Sequence, residues 1–165
     1  MHLLLLLFLS QSLGMASSGH NPYLPDPQFT PGVYNPGVTQ STIASTICKA
    51  NWTKTIRPPV RYTNKLKAEQ MAKLGLKGKP NSYEEDHLVS LEVGGDPDDP
   101  QNLWPEPWPE ARLKDVVETN LAHRVCAGTI TLAEARKILA TDWTVEFERI
   151  KGMTVAQALA KKRKK

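Results

Sequence analysis

The stretch from residue 82 to residue 107, SYEEDHLVSLEVGGDPDDPQNLWPEP, constrains the fold of this 165-residue chain more than any other segment. From Leu88 to Val93 the side chains alternate with a period of two, which predicts a half-buried strand. A glycine pair ends that strand, and the DPDDPQ that follows is typical of a turn. Prolines interrupt the next segment, NLWPEPWP, so a second strand there is expected to be short. The stretch therefore predicts a small β-hairpin.

One helical pattern precedes this hairpin. Residues 64–74 predict a helix with Thr63 as its N-cap and Gly75 at its C-terminal end. The stretch 45–63 contains two consecutive prolines, which fit neither a helix interior nor a central strand. We therefore expect residues 45–63 to be extended and irregular.

Further helical patterns follow the hairpin. Apolar residues recur at helical spacing from about residue 110 until Gly128. The TLAE at 131–134 is a capping box that opens a second helix, and apolar residues between 143 and 150 predict another. The order of elements predicts a single α+β domain, with a hairpin-helix core and additional flanking helices.

The two ends of the chain differ in composition from its middle. Residues 1–16 combine a short apolar run with the small-x-small spacing read by signal peptidase, which predicts a cleaved signal peptide, with a membrane anchor as the alternative. Residues 17–44 are rich in Pro and Gly and are expected to form an extended or disordered arm. The folded domain is expected over 45–152, and 153–165 is expected to hold a helix end and a basic tail.

A signal peptide would place the mature protein outside the cytoplasm, secreted or periplasmic and free of the membrane. In an oxidising compartment Cys48 and Cys126 are expected to form a disulfide, and two buried free thiols are the alternative. Two cysteines at this separation do not make a zinc site.

Charge is unevenly distributed along the chain. The net charge of +4 includes five positive charges in the tail at 161–165, so the remainder sums to −1. Residues 46–80 hold nine Lys or Arg against one acidic residue, whereas residues 81–118 hold eleven Asp or Glu against two basic residues. A basic segment beside an acidic one suits a metal-using enzyme that acts on a polyanion, and two surfaces that simply pair are the alternative.

Asp86 and His87 stand next to each other at the start of the hairpin. A neutral histidine can take a proton from water at neutral pH, which suits a general base. A carboxylate is a hard oxygen ligand that suits Mg²⁺ or Mn²⁺. Hydrolysis of a phosphodiester uses both functions, although an isolated Asp-His pair is more often an ordinary polar pair on a surface.

The arrangement of Asp86-His87, Gly94-Gly95 and Asn102-Leu103 resembles the HNH endonucleases, which are ββα-metal nucleases. The similarity is strongest over 83–104, and a looser similarity to a group of exported bacterial HNH-like proteins extends over about 46–143. The resemblance implies that His87 is the general base, that Asp86 is a metal ligand, and that the side-chain amide of Asn102 holds the His87 loop in orientation.

The resemblance also implies a His or Asn early in the helix after the hairpin, as a further metal ligand. Neither residue stands there in EARLKDVVE, and Glu110 would replace the missing ligand with a carboxylate. Arg112 would either grip the scissile phosphate or occupy the metal position. The other candidate phosphate contacts are basic residues of the same region: Lys54, Arg57, Arg61, Lys65, Lys67 and Lys114. Trp104 and Trp108 are expected in the core, with stacking on bases as the alternative.

These features together predict an exported endonuclease that hydrolyses phosphodiester bonds with His87 and one divalent metal, Mg²⁺ or Mn²⁺. The partner is a nucleic acid, DNA in preference to RNA, and a cognate inhibitor is a possible second partner. Two other classes stay open at this point. One is an inactive extracellular relative that keeps the fold and binds nucleic acid, and the other is a disulfide-linked exported domain without a nucleic-acid role.

Overall fold

A computed structural model describes residues 21–163 and shows a mixed α+β fold, as the sequence predicts. The predicted signal peptide at 1–16, residues 17–20 of the predicted arm and the last two lysines of the tail lie outside the described residues. Within 21–163 the helices are α1 (Trp52–Ile56), α2 (Val60–Lys73), α3 (Trp108–Cys126), α4 (Leu132–Lys151) and α5 (Val155–Lys162), and the strands are β1 (Tyr83–His87) and β2 (Leu103–Pro107).

The sheet is a two-stranded antiparallel hairpin in which Asp86 faces Trp104 and His87 faces Leu103. The amide of Leu88 donates to the carbonyl of Asn102 at 2.8 Å and extends the ladder by one step. In an antiparallel pair each strand donates hydrogen bonds to its partner at every second residue. Pro105 and Pro107 occupy the positions of β2 whose backbone nitrogens face away from β1. The prolines therefore cost the hairpin no hydrogen bond.

The prediction of a strand over Leu88–Val93 is wrong, because β1 is the preceding YEEDH segment. Leu88, Val89, Ser90 and Val93 are all buried, so the alternation does not separate a core face from a solvent face. Residues 91–93 instead form a 3₁₀ turn that Ser90 caps by accepting a hydrogen bond from the amide of Glu92 at 3.2 Å. The connection between the strands is thus a packed loop rather than a continuation of the hairpin.

α2 begins earlier than the sequence pattern indicates, at Val60 rather than at residue 64. Pro59 is the N-cap, because its ring holds φ at −60° and the first turn of a helix needs no donor there. Thr63 lies inside the helix and donates its hydroxyl to the carbonyl of Val60 at 3.1 Å. The predicted end is confirmed: Gly75 takes a φ of +62°, and the Leu76 amide closes the last turn. The stretch before α2 also contains the short helix α1, so it is not wholly extended.

The helices after the hairpin follow their sequence signals. α3 runs to Cys126, and Gly128 follows with a φ of +71°. Thr131 and Glu134 form the predicted capping box of α4, which has a kink at Asp142. The C-terminal segment is not the end of that helix but a separate helix, α5, with its own capping box from Thr154. Buried apolar side chains of α3, α4 and α5 form the core together with Val38, Val89 and Val93.

Residues 21–44 consist mainly of turns and irregular backbone, and they pack on the domain. The side-chain amide of Asn21 donates to Asp142 at the kink of α4, and the carbonyl of Tyr23 accepts from the indole of Trp143 at 3.1 Å. Val38 is 1 % exposed, and Gln40 accepts a hydrogen bond from the first amide of α4 at 2.8 Å. This Pro/Gly-rich segment shows no apolar period, so its sequence did not reveal the packing.

Candidate functional site

His87 ends β1 with its ring largely buried, 5 % exposed. Its Nε2 lies 2.8 Å from the carbonyl oxygen of Pro97. A carbonyl can only accept, so Nε2 carries the proton and Nδ1 keeps its lone pair. Burial lowers the pKa of His87, which the Pro97 bond and the Asp86 charge only partly offset. The ring is therefore neutral at physiological pH, with Nδ1 as its basic atom.

Asn102 holds the loop that presents Pro97. It is fully buried, and its amide nitrogen donates to the carbonyls of Val89 at 3.0 Å and Asp96 at 2.8 Å. Its amide oxygen accepts from the amides of Val89 at 3.0 Å and Val33 at 3.4 Å. These four bonds are the contacts that a residue orienting the His87 loop requires.

The His87 ring lines a cavity of about 250 Å³ between the start of α2 and β1. Its wall consists of Arg57, Pro58, Val60, Thr63, Asn64, Lys67, Glu84, Glu85, His87 and Trp108. Larger cavities of about 370, 330, 410 and 300 Å³ lie elsewhere, and His87 lines none of these four. We take the smaller cavity as the candidate site, because it combines the buried, neutral imidazole of His87 with basic and acidic side chains.

Two glutamates of β1 that the sequence analysis did not single out belong to this cavity wall. Burial, followed by the negative charges of Asp86 and Asp115, raises the pKa of Glu84 to about 7. Burial raises the pKa of Glu85 to about 8, although Lys67 acts in the opposite direction. Both carboxyl oxygens of Glu85 are buried without a hydrogen-bond partner. Glu85 is therefore mostly protonated and uncharged at neutral pH.

Asp86 faces a buried ammonium instead of solvent. The Nζ of Lys114 donates to Oδ2 of Asp86 at 2.7 Å, to the carbonyl of His87 at 2.6 Å and to Oε1 of Glu118. Lys114 is 0 % exposed, so the prediction of a phosphate contact at this residue is wrong. Burial disfavours the charged forms, but the mutual attraction is stronger: the pKa of Asp86 is lowered and that of Lys114 is raised. Lys114 lies inward because α3 places it directly behind β1.

Glu106 completes this buried cluster from β2. Its carboxyl group is 0 % exposed and has no partner if it acts only as an acceptor. Burial, then the charge of Asp86, raises the pKa of Glu106 well above its usual range, which favours the protonated form. A protonated Glu106 can donate to Asp86, which satisfies one oxygen of each carboxyl group.

Asp86, one of the two predicted metal ligands, does not fit a divalent cation as the side chains stand. A cation on Asp86 would share one carboxylate with the ammonium of Lys114, and like charges at that range repel by several kcal/mol in a buried setting. Glu110 lies in the first turn of α3 with Oε2 buried and unpartnered, and no group of three or more His, Cys, Asp or Glu suited to a metal occurs within 21–163.

The remaining predicted phosphate contacts divide by position. Arg57 lines the candidate cavity. Arg61 and Lys65 are exposed on α2, where Lys65 lies 3.8 Å from Glu69. Arg112 is exposed on α3, and its guanidinium lies 5.8 Å from the ring of Trp108.

The two tryptophans of the hairpin region differ in environment. Trp104 is buried, as expected, whereas Trp108 is 37 % exposed and lines the cavity. Trp108 is the first residue of α3, so its ring projects at the junction with β2 and not into the helix bundle. The expectation of core packing is therefore wrong for Trp108.

The predicted disulfide between Cys48 and Cys126 is confirmed, with a Cα–Cα distance of 5.6 Å. It attaches the segment before α1 to the last residue of α3. A structural disulfide is compatible with an exported protein. None of the helices within 21–163 is both long and apolar enough to cross a bilayer.

Comparison of the chain with protein-family models, with curated proteins and with solved structures gives no significant match.

Proposed function

We propose that the protein is an exported endonuclease that hydrolyses phosphodiester bonds, with His87 as the general base. The observation that carries this proposal is the hydrogen bond from Nε2 of His87 to the Pro97 carbonyl, which leaves Nδ1 as the basic atom of a residue that lines the same cavity as Arg57. A neutral imidazole and a cationic side chain in one cavity are the two groups needed to activate water beside a phosphate. The similarity of the Asp86-His87 to Asn102 segment to the HNH endonucleases supports the same chemistry.

Each residue in and around the cavity would have a separate role in hydrolysis. Nδ1 of His87 takes a proton from water, and Arg57 binds a phosphate oxygen and offsets its charge. Glu85, uncharged at neutral pH, does not repel the phosphate. Asn102 and Pro97 keep the imidazole in one orientation. The resemblance also implies Mg²⁺ or Mn²⁺, but no step is assigned to a metal because the ammonium of Lys114 occupies the Asp86 carboxylate.

DNA is the proposed substrate, with RNA as the alternative within the same chemistry. Secretion or periplasmic export is part of the proposal, and the disulfide supports it.

The test is cleavage of supercoiled DNA and of single-stranded RNA by the protein expressed from the full chain with an oxidising export route. Reactions are run with Mg²⁺, with Mn²⁺ and with a chelator. We expect His87→Ala to lower the cleavage rate by about 10²–10⁴-fold, the usual contribution of a general base. His123→Ala is the matched control, because that exposed histidine lies on α3 near the disulfide and outside the cavity of His87.

If neither wild type nor His87→Ala cleaves DNA or RNA, the endonuclease proposal is rejected. A rate that falls as much in His123→Ala as in His87→Ala would reject the specific role of His87.

A second candidate is a nucleic-acid-binding protein that does not cleave. The observation that favours it is the ion pair between Lys114 and Asp86, which occupies the carboxylate that the HNH resemblance assigns to a metal. Salt dependence tests it: each phosphate contact contributes about one unit to the slope of log affinity against log salt. Arg61→Ala on α2 should lower that slope by about one. Lys137→Ala, an exposed lysine on α4, should leave it unchanged.

A further inference from the structure

Lys114 is the most completely enclosed charge in the described part of the chain. Its side chain is 0 % exposed, and an ammonium has three hydrogens to donate. Three acceptors receive them: a carboxylate oxygen of Asp86, the backbone carbonyl of His87 and a carboxylate oxygen of Glu118. Every donor is satisfied, so the ammonium is held in one position.

This ammonium lies at the end of β1, next to both residues that carry the proposed chemistry. It contacts the Asp86 side chain and the His87 backbone, and it comes from α3, which follows the hairpin directly. The negative groups around it are Asp86 and Glu118, with Glu106 next to Asp86 across the hairpin. The cluster therefore contains a positive charge with its oxygen ligands already in place.

We propose that Lys114 is a built-in cation that takes the place of a divalent metal at Asp86. In this arrangement Asp86 orients the lysine, and the lysine fixes the backbone of His87, so neither residue is available to bind Mg²⁺ or Mn²⁺. The inference concerns cation binding and does not require that the protein cleaves nucleic acid. Its tests measure cation binding, whereas the proposed function is tested by cleavage, so one proposal can fail while the other holds.

The first test is calorimetric titration of Mn²⁺ and of Mg²⁺ into the wild-type protein and into Asp86→Asn. We expect the two proteins to give the same heats, because the ammonium excludes a second cation from that carboxylate. Saturable binding of Mn²⁺ by wild type that disappears in Asp86→Asn would overturn the proposal. Binding at other carboxylates is common to both proteins and cancels in the comparison.

The second test removes the charge and keeps the shape. Lys114→Met leaves Asp86 and Glu118 facing each other without a cation, so Mn²⁺ should raise the melting temperature of this variant and not that of wild type. The double variant Lys114→Met/Asp86→Asn should lose this response. Lys114→Met should bind Mn²⁺ at least about tenfold more tightly than wild type.

If Lys114→Met folds and Mn²⁺ does not raise its melting temperature, the proposal is overturned. If the variant folds only when Mn²⁺ is present during refolding and unfolds in chelator, the proposal is supported directly. If it does not fold in either condition, the wild-type titration decides.

Discussion

The side-chain amide of Asn102 pairs with the backbone of Val89 through two hydrogen bonds, each 3.0 Å long. One bond is donated by the Val89 amide and the other by the Asn102 amide nitrogen, as between two residues of neighbouring strands. A side chain thus supplies the pairing that the Leu88–Val93 segment would otherwise obtain from a strand. This relationship explains both the packed loop and the position of Pro97 against His87.

Replacing Asn102 with Asp should therefore destabilise the fold. The substitution removes both donated bonds and places a carboxylate oxygen against the carbonyls of Val89 and Asp96 inside the protein. We expect a loss of about 3 kcal/mol or more in the free energy of unfolding, measured by urea titration. Asn81→Asp, at an exposed position before β1, should change it by less than about 0.5 kcal/mol. Equal losses in the two variants would contradict the role of Asn102.

Glu85 should make the protein less stable as pH rises towards 8. The pKa of its carboxyl group is about 8 in the folded protein and about 4.3 in an unfolded chain. Between about pH 4.3 and pH 8, Glu85 is therefore protonated in the folded state and ionised in the unfolded state. Its contribution to stability is complete below the unfolded pKa and is lost as pH rises through the folded pKa. Between pH 5 and pH 8 this loss should be about 3–4 kcal/mol.

Glu85→Gln should reduce this pH slope in urea unfolding measured from pH 5 to pH 8. Part of the slope should remain, because burial also raises the pKa values of Glu84 and Glu118 to about 7. Glu69→Gln on the exposed face of α2 is the control and should leave the slope as in wild type. An unchanged slope in Glu85→Gln would show that the Glu85 carboxyl is ionised in the folded protein.

Gly95 should not tolerate a side chain. A Cβ at this position would lie 1.7 Å from the carbonyl oxygen of Val89 and 2.8 Å from the amide nitrogen of Asn102. Gly95→Ala should therefore cost about 3 kcal/mol or more, because the backbone of the loop must move. Gly128→Ala is the control: its φ is +71° but no atom lies within 4 Å of a Cβ, so it should cost about 1 kcal/mol. Similar costs in both variants would contradict the close approach at Gly95.

Removing the disulfide should cost about 4 kcal/mol of stability, since it closes a loop of 78 residues. The change is the double variant Cys48→Ser/Cys126→Ser, measured by urea unfolding against the oxidised wild type. Addition of a thiol reductant should bring wild type to the stability of the variant and leave the variant unaffected. A variant as stable as the oxidised wild type would show that the helices alone hold α3 against the N-terminal segment.

Local sequence rules predicted the elements whose signals are local. The capping box of Thr131 and Glu134, the glycine after α3 and the short proline-limited strand β2 depend on a few neighbouring residues, and all three are present. The pairing of Cys48 with Cys126 also followed, because two cysteines allow one intramolecular bond. Asn102 was singled out by the resemblance to the HNH endonucleases, and its buried amide nitrogen donates to the carbonyls of Val89 and Asp96.

The periodicity rule failed where long-range packing covers both faces of a segment. Leu88–Val93 alternates like a strand, yet the domain buries apolar and polar positions alike, and the amide of Asn102 replaces the strand partner. The start of α2 was placed late because Pro59 was interpreted as an interruption, whereas it serves as the N-cap.

The sequence by itself determined the α+β class, the short second strand of the hairpin, the end of α3, the start of α4 and the disulfide. The tertiary structure decided the charge environment of the site: Lys114 was expected at the surface with a phosphate and instead lies fully buried on Asp86. Glu85 was not singled out, and burial makes it a neutral group in the cavity of His87. The physical reason is that capping, turns and apolar spacing act over a few residues. The protonation and pairing of a charged side chain depend on desolvation and on groups brought together from β1, β2 and α3, which only the folded chain defines.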